Sequence, residues 1–162
     1  MKELDLYWED CLISQEDKKF LIIRYEEMFK DAKQTSDFLF QNEYYNWAIV
    51  SSYYSMYYIS LKILAKNHNL KHKSFESHSQ VVKALNVLYS KKEISKLLDI
   101  AYQKVNFENL PANLLYKGKD IRNKINYDTN YNSNQINQKS TEEFILNVRN
   151  KFIEISKKIL GE

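Results

Sequence analysis

The stretch YYNWAIVSSYYSMYYISLKILAKN, Tyr44 to Asn67, decides the fold class. It carries no charged residue from Tyr44 to Leu61. Trp47, Val50, Tyr54 and Leu61 fall on one face of a helical period, and Ala48, Ser52, Met56, Ile59 and Ile63 fall on another. A helix apolar on all sides is one surrounded by other helices, so the segment reads as the central rod of a bundle or a rod at a subunit interface. A charge-free run of this length also suits a bilayer span. However, six tyrosines, four serines and Asn46 lie within it, and each polar group would need a partner in lipid. A membrane span is therefore rejected. The small residues Ala48, Ser51, Ser52 and Ser55 permit close approach of a neighbour, and any buried tyrosine hydroxyl needs a hydrogen bond.

Working outward, the next helix lies upstream. From about Ser14 to Gln41, Leu21, Tyr25, Met28, Ala32 and Leu39 recur at steps of four, three, four and seven, which predicts a surface helix with one buried stripe. Asn42 and Glu43 break it from the central rod. Downstream, Ser-x-x-Glu/Gln spacings predict helix starts at Ser77 with Gln80, Ser90 with Glu93, and Ser140 with Glu143. The last of these helices runs through Phe144, Val148, Phe152, Ile155 and Ile159. Pro111 suits the first turn of a further helix over about 111–126, with Gly118 weakening it. The Asn- and Gln-rich stretch at about 127–140 reads as an exposed, mobile loop.

Length and composition agree with an all-α reading. The 162 residues suit a single domain, 1–162, with a core over about 14–158. Two glycines and one proline are too few for a fold built of tight turns. The lone cysteine, Cys11, makes no internal disulfide or cysteine-based zinc site, and the acidic N-terminus does not suit a signal peptide, so a cytoplasmic location is expected. Charge is uneven: residues 1–43 sum to −5 and residues 44–162 to +8. A basic remainder permits a polyanionic partner without requiring one.

Few residues carry recognisable chemistry. His68 and His72, in HNLKHK, read as solvated loop histidines with no third ligand nearby, and His78 reads as a capping or core residue in a first helical turn. No metal site or cofactor is expected. Neither a phosphate-cradling glycine loop nor a hydrolase elbow is present in the sequence. Two cationic stretches remain: Lys62, Lys66, Lys71 and Lys73, and then Lys117, Lys119, Arg122 and Lys124 relieved by Asp120. Each reads as a solvated face or as a phosphate contact.

Tyr45, Ala48, Ser52, Tyr53, Tyr54, Ser55 and Met56, followed by SHSQVVKAL and then by Arg122, Asn126 and Tyr127, resemble the HEPN family of small helical domains. In a prokaryotic branch of that family a Tyr-x-x-Ala-x-x-x-(Ser/Ala)-Tyr-Tyr-(Ala/Ser)-Met segment forms a central helix, and an Arg-x-x-x-(Asp/Asn)-Tyr element ends the core. The resemblance covers about residues 14–158. It implies an up-and-down four- or five-helix bundle that forms a homodimer, with the motif helices of two copies facing a shared cleft.

The resemblance further implies an RNA- or nucleotide-facing site at Arg122, Asn123, Asn126, Lys119 and Lys124, with Tyr127 beside them. HEPN ribonucleases place a histidine after the arginine. Here the corresponding positions hold Tyr127, Asp128 and Thr129. Metal-independent RNA cleavage needs a group that exchanges a proton near neutrality, which histidine does and tyrosine, with a pKa near 10, does poorly. Arg122 is still suited to gripping a phosphate bidentately, though a structural pairing with a carboxylate is equally open to it. The expectation is a HEPN-like protein acting with a minimal nucleotidyltransferase in a toxin–antitoxin-like or defence pair, its catalytic motif degenerate. Two alternatives stand beside it. One is an active metal-independent endoribonuclease using Arg122 and Tyr127, or a histidine reached through space such as His78. The other is a non-enzymatic oligomerisation scaffold.

Overall fold

The computed structural model describes residues 8–10, 14–72, 78–89, 93–106 and 137–162. Two long antiparallel helices organise it. The first, α1 (Gln15–Gln41), begins where Ser14 accepts from the Asp17 backbone N–H at 3.1 Å, with Glu16 and Asp17 favourably placed at the positive end of the helix dipole. It ends at Asn42, whose side-chain amide donates back to the Phe38 carbonyl at 2.8 Å. Glu43 then takes a left-handed conformation, φ 66°, and Tyr44 leads into α2 (Tyr45–His68).

From Ala48 to Ala65 every residue of α2 is buried except Ser51, Tyr54, Tyr57 and Tyr58. It packs against α1, α3 (His78–Leu88), α4 (Glu93–Asn106) and a C-terminal rod. That rod consists of α5 (Gln138–Phe144), a π-helical turn (Ile145–Asn150) and α6 (Lys151–Leu160). The centre of the core joins Ile49, Tyr53, Met56, Ile63 and Leu64 of α2 to Val81, Leu85, Leu98, Phe144 and Phe152. Buried serines on α2 satisfy themselves locally: Ser55 donates to the Ser52 carbonyl at 2.6 Å, and Ser60 donates to the Met56 carbonyl at 2.7 Å. Among the described residues no helix is long and apolar enough to cross a membrane.

The all-α class stands, with one small addition. Strand β1 (Trp8–Asp10) pairs antiparallel with β2 (Leu70–His72), Trp8 opposite His72 and Asp10 opposite Leu70. This corrects the reading of HNLKHK as a loop. His68 closes α2, Asn69 caps it in a left-handed conformation (φ 53°), and the next three residues form the strand. Asparagine tolerates that conformation better than most residues, which is why the helix stops there.

Three further expectations shift. The C-terminal helix starts at Asn137 rather than Ser140. Asn137 accepts from the Ser140 N–H at 2.9 Å, while Ser140 Oγ accepts from the Asn137 N–H at 3.0 Å, a reciprocal cap. Gln138 to Ser140 are therefore helical and do not belong to a loop; positions 127–136 of that predicted loop lie outside the described residues, as does the helix predicted over 111–126. Of the predicted stripe in the same rod, Phe144 and Phe152 are buried as expected, whereas Val148, Ile155 and Ile159 are only partly buried and Arg149, Ile153, Ser156 and Leu160 are buried beside them. The π turn holds one residue more than an α turn, so the buried face beyond it keeps Phe152 and shifts by about one position from Ile155 and Ile159 to Ser156 and Leu160.

Candidate functional site

Arg122, Asn123, Asn126, Tyr127, Lys119 and Lys124, the residues singled out from sequence, lie outside the described residues. The polar centre that the structure does describe is built around a different arginine. Arg149, 3% exposed, sits in the π turn and points between the C-terminal half of α1 and the N-terminal half of α2. Its Nη1 donates to Asp37 Oδ1 at 2.6 Å and to Ser36 Oγ at 3.1 Å. Nε and Nη2 both donate to Asn150 Oδ1, at 3.1 and 3.0 Å.

The proton positions follow from counting donors. Ser36 Oγ lies 2.9 Å from the Ala48 carbonyl, which only accepts, so the Ser36 hydroxyl donates there. Its oxygen then accepts from Arg149 and from Ser52 Oγ, 2.6 Å away. Both lone pairs are used, and Ser52 is the donor of the second bond. The hydroxyl-to-backbone contact between α1 and α2 bears out the close approach expected at Ala48 and Ser52. Asp37 is also held by Lys33 at 2.8 Å. Burial acts to raise the Asp37 pKa, but hydrogen bonds and charge from Lys33 and Arg149 outweigh it and hold the carboxyl below its usual 3.8. With four N–H bonds directed at protein acceptors, this guanidinium ties the π turn to α1 and, through Ser36, to α2, and its charge is matched within the fold by Asp37.

Two lysines of the first cationic stretch, Lys62 and Lys66, are engaged within the fold, whereas Lys71 is exposed and Lys73 lies outside the described residues. Lys62 is buried and donates to Glu26 at 2.7 Å and to Glu162 at 2.6 Å. Burial acts to lower its pKa, and the two carboxylates more than compensate, so it stands above 10.5. Lys66 donates to the Leu160 carbonyl at 2.8 Å. Lys62 is neither a solvated face nor a free phosphate contact, which corrects both sequence readings for that residue, while Lys66 is engaged with its side chain still 38% exposed. Lys62 lies among apolar α2 residues because two acidic partners, one from α1 and one following α6, converge on it.

His68, read from sequence as solvated, is half-buried, with Nε2 2.8 Å from the Tyr89 hydroxyl and the rings edge to face. Burial lowers its pKa below 6.5 and raises that of Tyr89, whose hydroxyl is also approached by the Asn67 amide. The neutral imidazole is thus the favoured form near neutrality. The side chains of His72 and His78 lie outside the described residues. Among the described residues no three His, Cys, Asp or Glu side chains converge as a metal site would require.

Arg149 and Ser36 were missed for an identifiable reason. Steps of four, three, four and seven on α1 leave one gap, and Ser36, four residues after Ala32, fills it. A polar residue exactly on an apolar stripe signals a buried partner. No family description, curated protein or solved structure matches the chain.

Proposed function

We propose that this chain is a HEPN-like helical protein working as a homodimer with a partner, a minimal nucleotidyltransferase, in a toxin–antitoxin-like or defence pair. It offers an RNA- or nucleotide-facing cleft around Arg122, Asn123, Asn126 and Tyr127, flanked by Lys119 and Lys124, with a degenerate catalytic motif. The observation carrying this reading is that the Tyr45–Met56 motif falls on one long helix, α2, against which the other helices pack. The cationic segment that follows supplies the groups that phosphate recognition needs. Without a histidine at 127–129, binding is retained more readily than cleavage.

Two measurements test it. Affinity purification of the full chain from its native cells is expected to recover a nucleotidyltransferase. A titration with single-stranded RNA across a salt series is expected to show affinity that falls with salt and weakens on Arg122→Ala. Recovery of no such partner, together with salt-independent or absent RNA binding, overturns the reading. Cleavage of RNA in EDTA by the wild type, abolished by Arg122→Ala, would replace it with the endoribonuclease.

A further inference from the structure

Beyond the end of α2 the two strands are held very differently. β2 is fixed from the helix side: Asn69 caps α2, Leu70 packs on the core, and Lys18 of α1 donates to Asn69 Oδ1. β1 has only its three-residue ladder to β2, and that ladder closes a loop running from Asp10 to Leu70. No helix depends on it, since α1 is capped by Ser14 and tied to the end of α2 by Lys18. A two-stranded pairing this short is marginal in water, and closing a long loop for it returns little. β2 is therefore a strand set in place by the bundle, and β1 is an exchangeable occupant of its edge.

Charge decides what fits that edge. From Lys66 to Lys73 the sequence holds three lysines and two histidines and no carboxylate, whereas Glu3 to Asp10 holds four carboxylates and no cation. The register sets Glu9 opposite Lys71, which is exposed on β2. Opposite charges facing each other across a ladder favour pairing, and like charges oppose it. The backbone of an edge strand accepts any extended segment, and the side chains along it select among them. Here the selection is for acidic residues, and the chain's own Trp-Glu-Asp is one example of a segment that meets it.

We infer that β2 is a docking strand for an extended acidic segment of a partner protein, which pairs antiparallel with Leu70–His72 by displacing the chain's own Trp8–Asp10. Being on the same chain, β1 competes at high effective concentration and sets the threshold that the partner must exceed. The inference goes beyond the reading above and needs neither RNA nor a nucleotidyltransferase.

The probe is a fluorescent peptide copying residues 3–10, titrated against the full chain and read by anisotropy. It is expected to bind the wild type and to bind Glu9→Lys/Asp10→Lys about fivefold or more tighter, because that variant's own strand is repelled by Lys71 while β2 is unchanged. A peptide carrying Tyr7→Pro and Trp8→Pro keeps the four carboxylates but breaks the strand, and is expected to bind about tenfold or more weaker. Should Glu9→Lys/Asp10→Lys fail to fold, a charge swap decides: Lys71→Glu is expected to lose the acidic peptide and to take up the one carrying Glu9→Lys and Asp10→Lys. Helical circular dichroism of each variant is expected to match the wild type. Affinity no higher for Glu9→Lys/Asp10→Lys overturns the inference, as does equal binding of the proline peptide or an acidic peptide that Lys71→Glu still binds. A missing nucleotidyltransferase or absent RNA binding leaves these titrations unchanged, so the two readings fail separately.

Discussion

Arg149 and Asp37, 112 residues apart in sequence, meet at 2.6 Å and join the π turn of the C-terminal rod to the end of the first helix. The arginine is enclosed and the aspartate is only partly so, its side chain 37% exposed. That asymmetry predicts unequal mutants. Asp37→Ala leaves a buried cation and is expected to destabilise by about 2–3 kcal/mol, somewhat below the loss from breaking a fully enclosed pair. Arg149→Met keeps much of the shape and lets Asp37 turn to water and Lys33, for a loss of about 1 kcal/mol. Urea unfolding midpoints of the two variants check the order, and equal losses would refute it.

Ser36 is the junction of the network, since its oxygen serves Arg149 and Ser52 while its proton serves the Ala48 carbonyl. Ser36→Ala is expected to cost about 1–3 kcal/mol and Ser52→Ala about 1 kcal/mol. Because the two share a bond, the double variant is expected to lose less than the sum, by about 0.5 kcal/mol or more. A double-mutant cycle measures this, and strict additivity would contradict the assignment.

His68 predicts a pH dependence. Its folded pKa lies below the 6.5 of the unfolded chain, so its contribution is fully present above 6.5 and is lost as pH falls through the lower folded value. Urea midpoints are expected to hold steady above about pH 6.5 and to decline on acidification below it, and His68→Gln is expected to flatten that slope. Asp37 and Glu26 titrate further down. Glu26 is held below its usual 4.5, burial acting to raise it and Lys62 and Lys30 more than compensating, so the loss carried by these carboxylates comes only in stronger acid.

At the alkaline end, burial and the neighbouring Tyr25, Tyr58 and Tyr54 push the Tyr57 phenol up to about 12. Its folded pKa is raised above 10.0, so its contribution is intact below 10.0 and is lost as pH rises through the folded value. An ultraviolet titration of phenolate is expected to show a late step near 12 that disappears in Tyr57→Phe. A titration curve unchanged by that substitution would contradict the assignment.

The long helices were legible because periodicity over more than twenty residues averages out local exceptions, and α1 and α2 end within a residue or two of where Ser14, Asn42 and Glu43 place them. Ends set by single residues were harder. Charged residues around His68 disguised a helix terminus and a strand, although Asn69 is the kind of residue that accepts a left-handed cap. In the last rod a strict α period pointed to Val148, whereas the extra residue of the π turn brings in Arg149, and no single-sequence period anticipates an insertion of that kind. Pairings such as Lys62 with Glu162 were not legible at all, since they depend on where distant helices dock. Arg122, Asn126 and Tyr127, singled out by spacing, lie outside the described residues.

During synthesis the lock at Ser36 is assembled from its two ends at different times. At ribosomal speeds of about 5–20 residues per second, Arg149 emerges roughly 6–20 s after Asp37. The hairpin of α1 and α2, whose contacts are local, has ample time to close in that interval. Ser36 and Asp37 are then already set on a formed hairpin, and the arginine that arrives last enters them as a key enters a barrel already cut.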